Sequence, residues 1–118
     1  MTIRVLLFPH YGQLGSLMHT SPALYRFLQE NGVELEEVRW NGRLDSLPPR
    51  GEHVLVRASS QLPYGTWWDQ LGSRCLELGH LCFYDDQFVS MDGLESQRGP
   101  KCLIEEAGKF LERAAVKA

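Results

Sequence analysis

The sequence predicts an α/β fold in which four or five mostly parallel strands lie between layers of about three helices. Three observations carry this. The run "IRVLLF" at residues 3–8 is β-branched and apolar without polar alternation, as expected of a strand covered on both faces. Strand-like and helix-like segments then take turns in the order β-α-β-β-α-β-α, the pattern of a largely parallel sheet layered with helices. Glycine and proline bends separate these segments, and no linker, repeat or low-complexity tract interrupts them. The expected architecture is one small Rossmann-like or flavodoxin-like three-layer domain over residues 1–118.

Each element has its own signal. Residues 3–8 should be a central strand. Ser21-Pro22 sets a good N-cap residue before a proline at the first helical position, and Leu24, Phe27 and Leu28 recur at helical spacing until Asn31-Gly32. Residues 33–40 alternate Val33, Leu35, Val38 and Trp40 against glutamates and Arg39, with a slip at Glu36-Glu37, which predicts a strand nearer a sheet edge. A loop with Asn41-Gly42, Pro48-Pro49 and Gly51 leads to a short strand from His53 to Arg57. This crossover has no helix signal, so parallel and antiparallel pairing of the second and third strands both stay open. Thr66 can cap a helix carrying Trp67, Trp68, Leu71, Cys75 and Leu78 on one broad face and ended by Gly79. "HLCFYDD" reads as a fourth strand. The connector 87–99 can begin with a strand fragment at Phe88-Val89-Ser90, and Pro100 to Val116 reads as a final helix that packs Leu103, Ala107, Phe110, Leu111 and Ala114.

Composition narrows the function classes. Apolar residues at 43% and charged residues at 23% place the chain among folded globular proteins. A net charge of −3 with mixed signs provides no broad basic surface, so nucleic acid is not an expected partner. The apolar run Val5 to Phe8 is too short for a leader or a membrane span, so a cytoplasmic protein of bacterial or phage type with no membrane partner is expected. Cys75, Cys82 and Cys102 form no CxxC pair; they should be reduced and mostly buried, with no metal and no cofactor implied.

In open α/β sheets ligands bind beyond the carboxyl ends of the strands, at a switch in strand order. That rule selects His10, Tyr11, Gly12, Gln13, Gly15, Ser16, His19 and Thr20 after the first strand and Asn41 after the second. It also selects Ser59, Ser60, Tyr64 and Thr66 after the third, with Asp85 and Asp86 after the fourth. Glycines let backbone amides approach an anion, and a following helix N-terminus offers unpaired N–H groups. The stretch is neither GxGxxG nor GxxxxGK[ST], so a tight turn into a capped helix is the competing reading. Asp85-Asp86 can bind a metal or a ribose hydroxyl, or equally make a turn or a helix cap. His10 is the candidate acid or base, since it leaves the first strand where it could meet Asp85 or Asp86. Trp67 and Trp68 diverge by about 100° around a helix, so one ring can enter the core while the other, with Tyr64, anchors a partner.

The stretch "GQLGSLMHTSPAL" resembles the start of the lipopolysaccharide heptosyltransferases and related two-domain glycosyltransferases, matching at Leu14, Gly15, Thr20, Pro22, Ala23 and Leu24 over about residues 3–40. The resemblance implies a Rossmann-like half-fold. In that family the residue after the glycine is acidic and implicated in catalysis; here it is Ser16, which cannot act as a general base near neutral pH without an activating partner. The family also binds its sugar nucleotide with a second Rossmann-like domain, for which this chain has no room. "YGTWWDQLGSRCLELGHLCFYDD" is similar to part of the nucleoside deoxyribosyltransferase-like proteins, which would make Asp69 a nucleophile toward a sugar anomeric carbon.

Two functions are therefore expected. One is a non-catalytic interaction protein of immunity, antagonist or adaptor type, docking through Tyr64, Trp67, Trp68 and acidic loop residues. The other is a nucleotide or sugar-nucleotide binder, either without catalysis or as a glycosyl- or deoxyribosyl-transfer enzyme, holding ligand between the glycine loop and Asp85/Asp86.

Overall fold

The structure, a computed structural model, describes residues 1–8, 16–58, 66–89 and 100–116, the side chains of residues 66–69 and 116 lying outside that description. Strands β1 (Thr2–Leu7), β2 (Glu34–Arg39), β3 (Leu55–Arg57), β4 (Leu81–Tyr84) and β5 (Gln87–Phe88) form one sheet in the order β2-β1-β3-β4-β5. The first four are mutually parallel; β5 turns back antiparallel on β4. Helices α1 (Leu17–Thr20) and α2 (Pro22–Glu30) connect β1 to β2, α3 (Thr66–Leu78) connects β3 to β4, and α4 (Pro100–Val116) ends the described chain. The chain is thus α/β, with a five-stranded, mostly parallel sheet and four α-helices among the described residues. Among the described residues no helix is long and apolar enough to cross a membrane.

Alternation along the strands divides the core in two. On one face Ile3, Val5, Leu7, Leu55, Leu81 and Phe83 pack against Leu17 of α1, Leu24 and Leu28 of α2, and Leu103, Ala107 and Phe110 of α4. On the other, Leu6, Val56 and Cys82 meet Leu71 and Cys75 of α3. Strand β1 sits between β2 and β3 and feeds both cores, but only its second half is covered on both faces: Thr2 and Arg4 are exposed and alternate with buried Ile3 and Val5, whereas Leu6 enters the second core.

The irregularity at Glu36-Glu37 has a physical origin. Leu35 packs on the α2 side, whereas Val38 and Trp40 pack on the α3 side. The apolar positions of β2 therefore change face halfway along an edge strand, and Glu34, Glu36, Glu37 and Arg39 remain exposed. The helix-less crossover to β3 is parallel after all. It is held by a single 3₁₀ turn at Leu44–Ser46, and Trp40, Leu44, Leu47 and Val54 cover the sheet where a helix would otherwise lie. The Trp40 indole N–H donates to Ser46 Oγ at 2.9 Å, and its ring meets Phe8 edge-on at 5.9 Å. Gly42, at φ +80°, lies so close to the Phe8 ring that an added Cβ would run into it.

Helices α2 and α3 end alike. Gly32 (φ +71°) and Gly79 (φ +81°) take the left-handed conformation. Their N–H groups donate to Gln29 and Leu76, and the next residues, Val33 and His80, donate to Leu28 and Cys75. These paired bonds satisfy the last helical carbonyls, as glycine after a helix allows. Cys75, Cys82 and Cys102 are free thiols, the first two buried.

Candidate functional site

Strand order reverses at β1, which has β2 on one side and β3 on the other. The candidate site is the carboxyl end of the sheet at that reversal. His10, Tyr11, Gly12, Gln13, Gly15, Ser59, Ser60 and Tyr64 lie outside the described residues. The backbones of Thr66, Trp67, Trp68 and Asp69 form the first turn of α3, with their side chains outside the description. The described residues at this end are Phe8, Ser16, Ser21, Asn41, Arg57, Tyr84, Asp85 and Asp86.

The Asp85-Asp86 turn closes the β4–β5 hairpin and is bound to the start of α2. Both Asp86 carboxylate oxygens are engaged: Ala23 N–H donates to Oδ2 and Leu24 N–H to Oδ1, each at 3.2 Å. Ser21 Oγ donates to the backbone carbonyl of Asp85. Ser21 is the residue before α2, as its sequence predicts, yet its hydroxyl makes no capping bond to the helix. A carboxylate more than sixty positions later in the chain does that work instead. A negative group at a helix N-terminus is favoured by both the unpaired N–H groups and the helix dipole.

Asp85 has φ +50°, the left-handed region that aspartate tolerates better than most residues. Its carboxyl is shifted above the usual carboxylate range, chiefly by burial and further by Asp86; Arg57 and a hydrogen bond with Tyr84 oppose the rise. This end of β3 and β4 therefore gathers a guanidinium, a phenol and a carboxyl of perturbed acidity.

Ser16 precedes α1 in extended conformation (φ −62°, ψ 157°), and its buried Oγ has no hydrogen-bond partner among the described residues. The first N–H of α1, on Leu17, donates to Glu37 Oε1 on β2 at 2.6 Å. The carboxylate serving this helix thus also comes from a neighbouring strand. His19 is exposed. Asn41 caps the start of the crossover loop, its Oδ1 accepting from Arg43 N–H at 2.9 Å.

His53 and His80 lie at the opposite end of the sheet. His80 is buried, with Nε2 at 2.7 Å from Pro48 O and Nδ1 accepting from Val54 N–H at 3.4 Å. Burial lowers its pKa from the ordinary histidine value. This ring fastens the β2–β3 crossover to the α3–β4 junction. Among the described residues no group of three or more His, Cys, Asp or Glu could hold a metal ion.

The sequence gives Arg57 and Glu37 no prominence, since a single charged residue on a strand looks like any solvated position. Their roles come from the parallel register, which puts Arg57 opposite both Leu7 and Phe83 and Glu37 opposite Val5. No protein-family model matches the chain, and comparison with curated proteins and with solved structures found no significant match.

Proposed function

We propose that this chain is a small non-catalytic interaction domain, of the immunity, antagonist or adaptor kind, on a Rossmann-like scaffold. The observation that supports it is the position of Asp86. In a nucleotide-binding α/β fold, a helix N-terminus in the crossover from the first strand to the second receives the ligand's phosphate. Here the N–H groups of α2 bond to the chain's own carboxylate, and the negative charge already present would repel a phosphate. On this reading the Asp85-Asp86 turn is a brace between the hairpin and α2, and the partner is another protein. The resemblance to heptosyltransferases then concerns scaffold alone, with Ser16 in place of the acidic residue.

The second reading, a nucleotide or nucleotide sugar held at the strand-order reversal, is favoured by Arg57, whose guanidinium stands at the carboxyl end of β3. A thermal-shift panel of nucleotides, nucleosides and nucleotide sugars separates the two, because a ligand that binds only the folded state raises Tm by mass action. The interaction reading expects no saturable rise. A saturable rise that disappears in a folded Gly15→Trp variant would replace it with the second.

A further inference from the structure

The hydrogen bonds of β2 fix which of its residues face outward. Glu34 N–H donates to Met1 O and Trp40 N–H to Leu7 O, so residues 34, 36, 38 and 40 direct their backbone groups to β1. Leu35, Glu37 and Arg39 therefore turn their N–H and C=O groups to the other side, where, among the described residues, the sheet has no further strand. Beside this edge runs a groove of about 530 Å³ lined in part by Met18, Tyr25, Gln29, Leu35 and Glu37. Paired residues on adjacent strands share a face, so a strand added here would place the side chains opposite Leu35 and Glu37 over this groove.

Charge selects the occupant. Glu34, Glu36 and Glu37 outnumber Arg39 along the strand, and all four are exposed. A second copy of the chain fits poorly. Two-fold antiparallel pairing centred on Glu36 or Glu37 sets that glutamate opposite its own copy, and centring on Leu35 sets Glu34 opposite Glu36; like charges in these positions are destabilising. Centring on Val38 avoids this but leaves Glu34 and Leu35 without a partner strand. The same charges match a basic strand.

We propose that the open edge of β2 receives an extended segment of another protein as an added strand, with basic side chains opposite Glu34, Glu36 and Glu37 and an apolar one opposite Leu35. This rests on the interaction-domain reading and names the chemistry of its partner. Main-chain hydrogen bonds to Leu35, Glu37 and Arg39 would supply the docking, and the glutamates its selectivity.

The probe follows from the register: the peptide Glu-Val-Lys-Lys-Val-Lys, read antiparallel from Arg39 to Glu34, places each residue opposite a complementary one. Its affinity is measured by fluorescence anisotropy, alongside the same peptide N-methylated at its first, third and fifth residues. Methylation keeps the charge and removes the donors aimed at Arg39, Glu37 and Leu35. We expect saturable binding that slows exchange of the Leu35, Glu37 and Arg39 amides. Affinity should fall about tenfold or more on N-methylation or in Glu34→Lys/Glu36→Lys protein, whose exposed positions spare the fold. The proposal is overturned if the peptide does not bind, if the methylated peptide binds equally well, or if the free protein is a dimer through β2. A nucleotide hit in the thermal-shift panel with intact peptide binding would remove the non-catalytic reading and leave the edge. A failed peptide with a blank panel would remove the edge alone.

Discussion

Replacing Asp86 with alanine should loosen the start of α2 from the β4–β5 hairpin. The substitution removes two charge-assisted hydrogen bonds of 3.2 Å, to Ala23 and Leu24. Losing a capping side chain costs about 1 kcal/mol, and losing a negative charge from a helix N-terminus about 0.3–1 kcal/mol more. Asp86 is half-buried, so water reaches the vacated N–H groups only in part, and the total should be about 1.5–2.5 kcal/mol. For a domain of this size that is a fall in Tm of about 6–10 °C. Asp86→Asn keeps one acceptor and turns its amide donor toward the second N–H, so it should recover at most about half of the loss. Urea unfolding at pH 7, followed by circular dichroism and analysed as a two-state transition, gives both values. A loss below about 0.5 kcal/mol for the alanine variant, at unchanged m, would refute the brace, because that is the range of an ordinary surface substitution.

Other substitutions test separate parts of the account. Gly42→Ala forces a Cβ into the Phe8 ring at a left-handed φ, and should cost about 1–3 kcal/mol by urea unfolding. His80 has a lowered folded-state pKa, so the unfolded chain binds more protons near it. Stability should therefore be full above the ordinary histidine pKa of about 6.5 and fall as pH drops below it, levelling off under the folded-state value. His80→Gln should flatten that acid limb while lowering stability at pH 7. Asp85 is shifted the other way, so its charge opposes folding at neutral pH. Asp85→Asn, which keeps a side chain tolerant of positive φ, should leave stability at pH 7 unchanged or raise it by less than about 1 kcal/mol. Phe110→Ala, at the centre of the α4 face, should cost about 3–5 kcal/mol.

Much of the fold was legible because periodicity and chain punctuation act locally. The run 3–8 reads as central because Val5, Leu6 and Leu7 are buried in succession on the two faces of β1, although Arg4 is exposed, and the glycines after α2 and α3 read as stops because they take positive φ. The helix-less crossover was visible as a gap, but its direction was not: parallel pairing of β2 and β3 with β1 is set by long-range packing of Trp40, Leu44 and Leu47. The contacts at the candidate site were not legible. Ser21 looks like the cap of α2 because serine favours that position, yet its hydroxyl bonds to Asp85 O and the capping falls to Asp86. No local pattern joins residues so far apart in sequence. The same holds for Glu37, whose link to Leu17 depends on the strand register.

We propose that Asp86 occupies the place at the α2 N-terminus where a phosphate would bind. Titration with pyrophosphate, followed through the amide resonances of Ala23 and Leu24, tests it most directly. These amides should stay still in the wild-type protein and move saturably in Asp86→Ala, where the carboxylate no longer fills the position. Saturable movement of both amides in the wild-type protein would contradict it and return the chain to the nucleotide-binding reading.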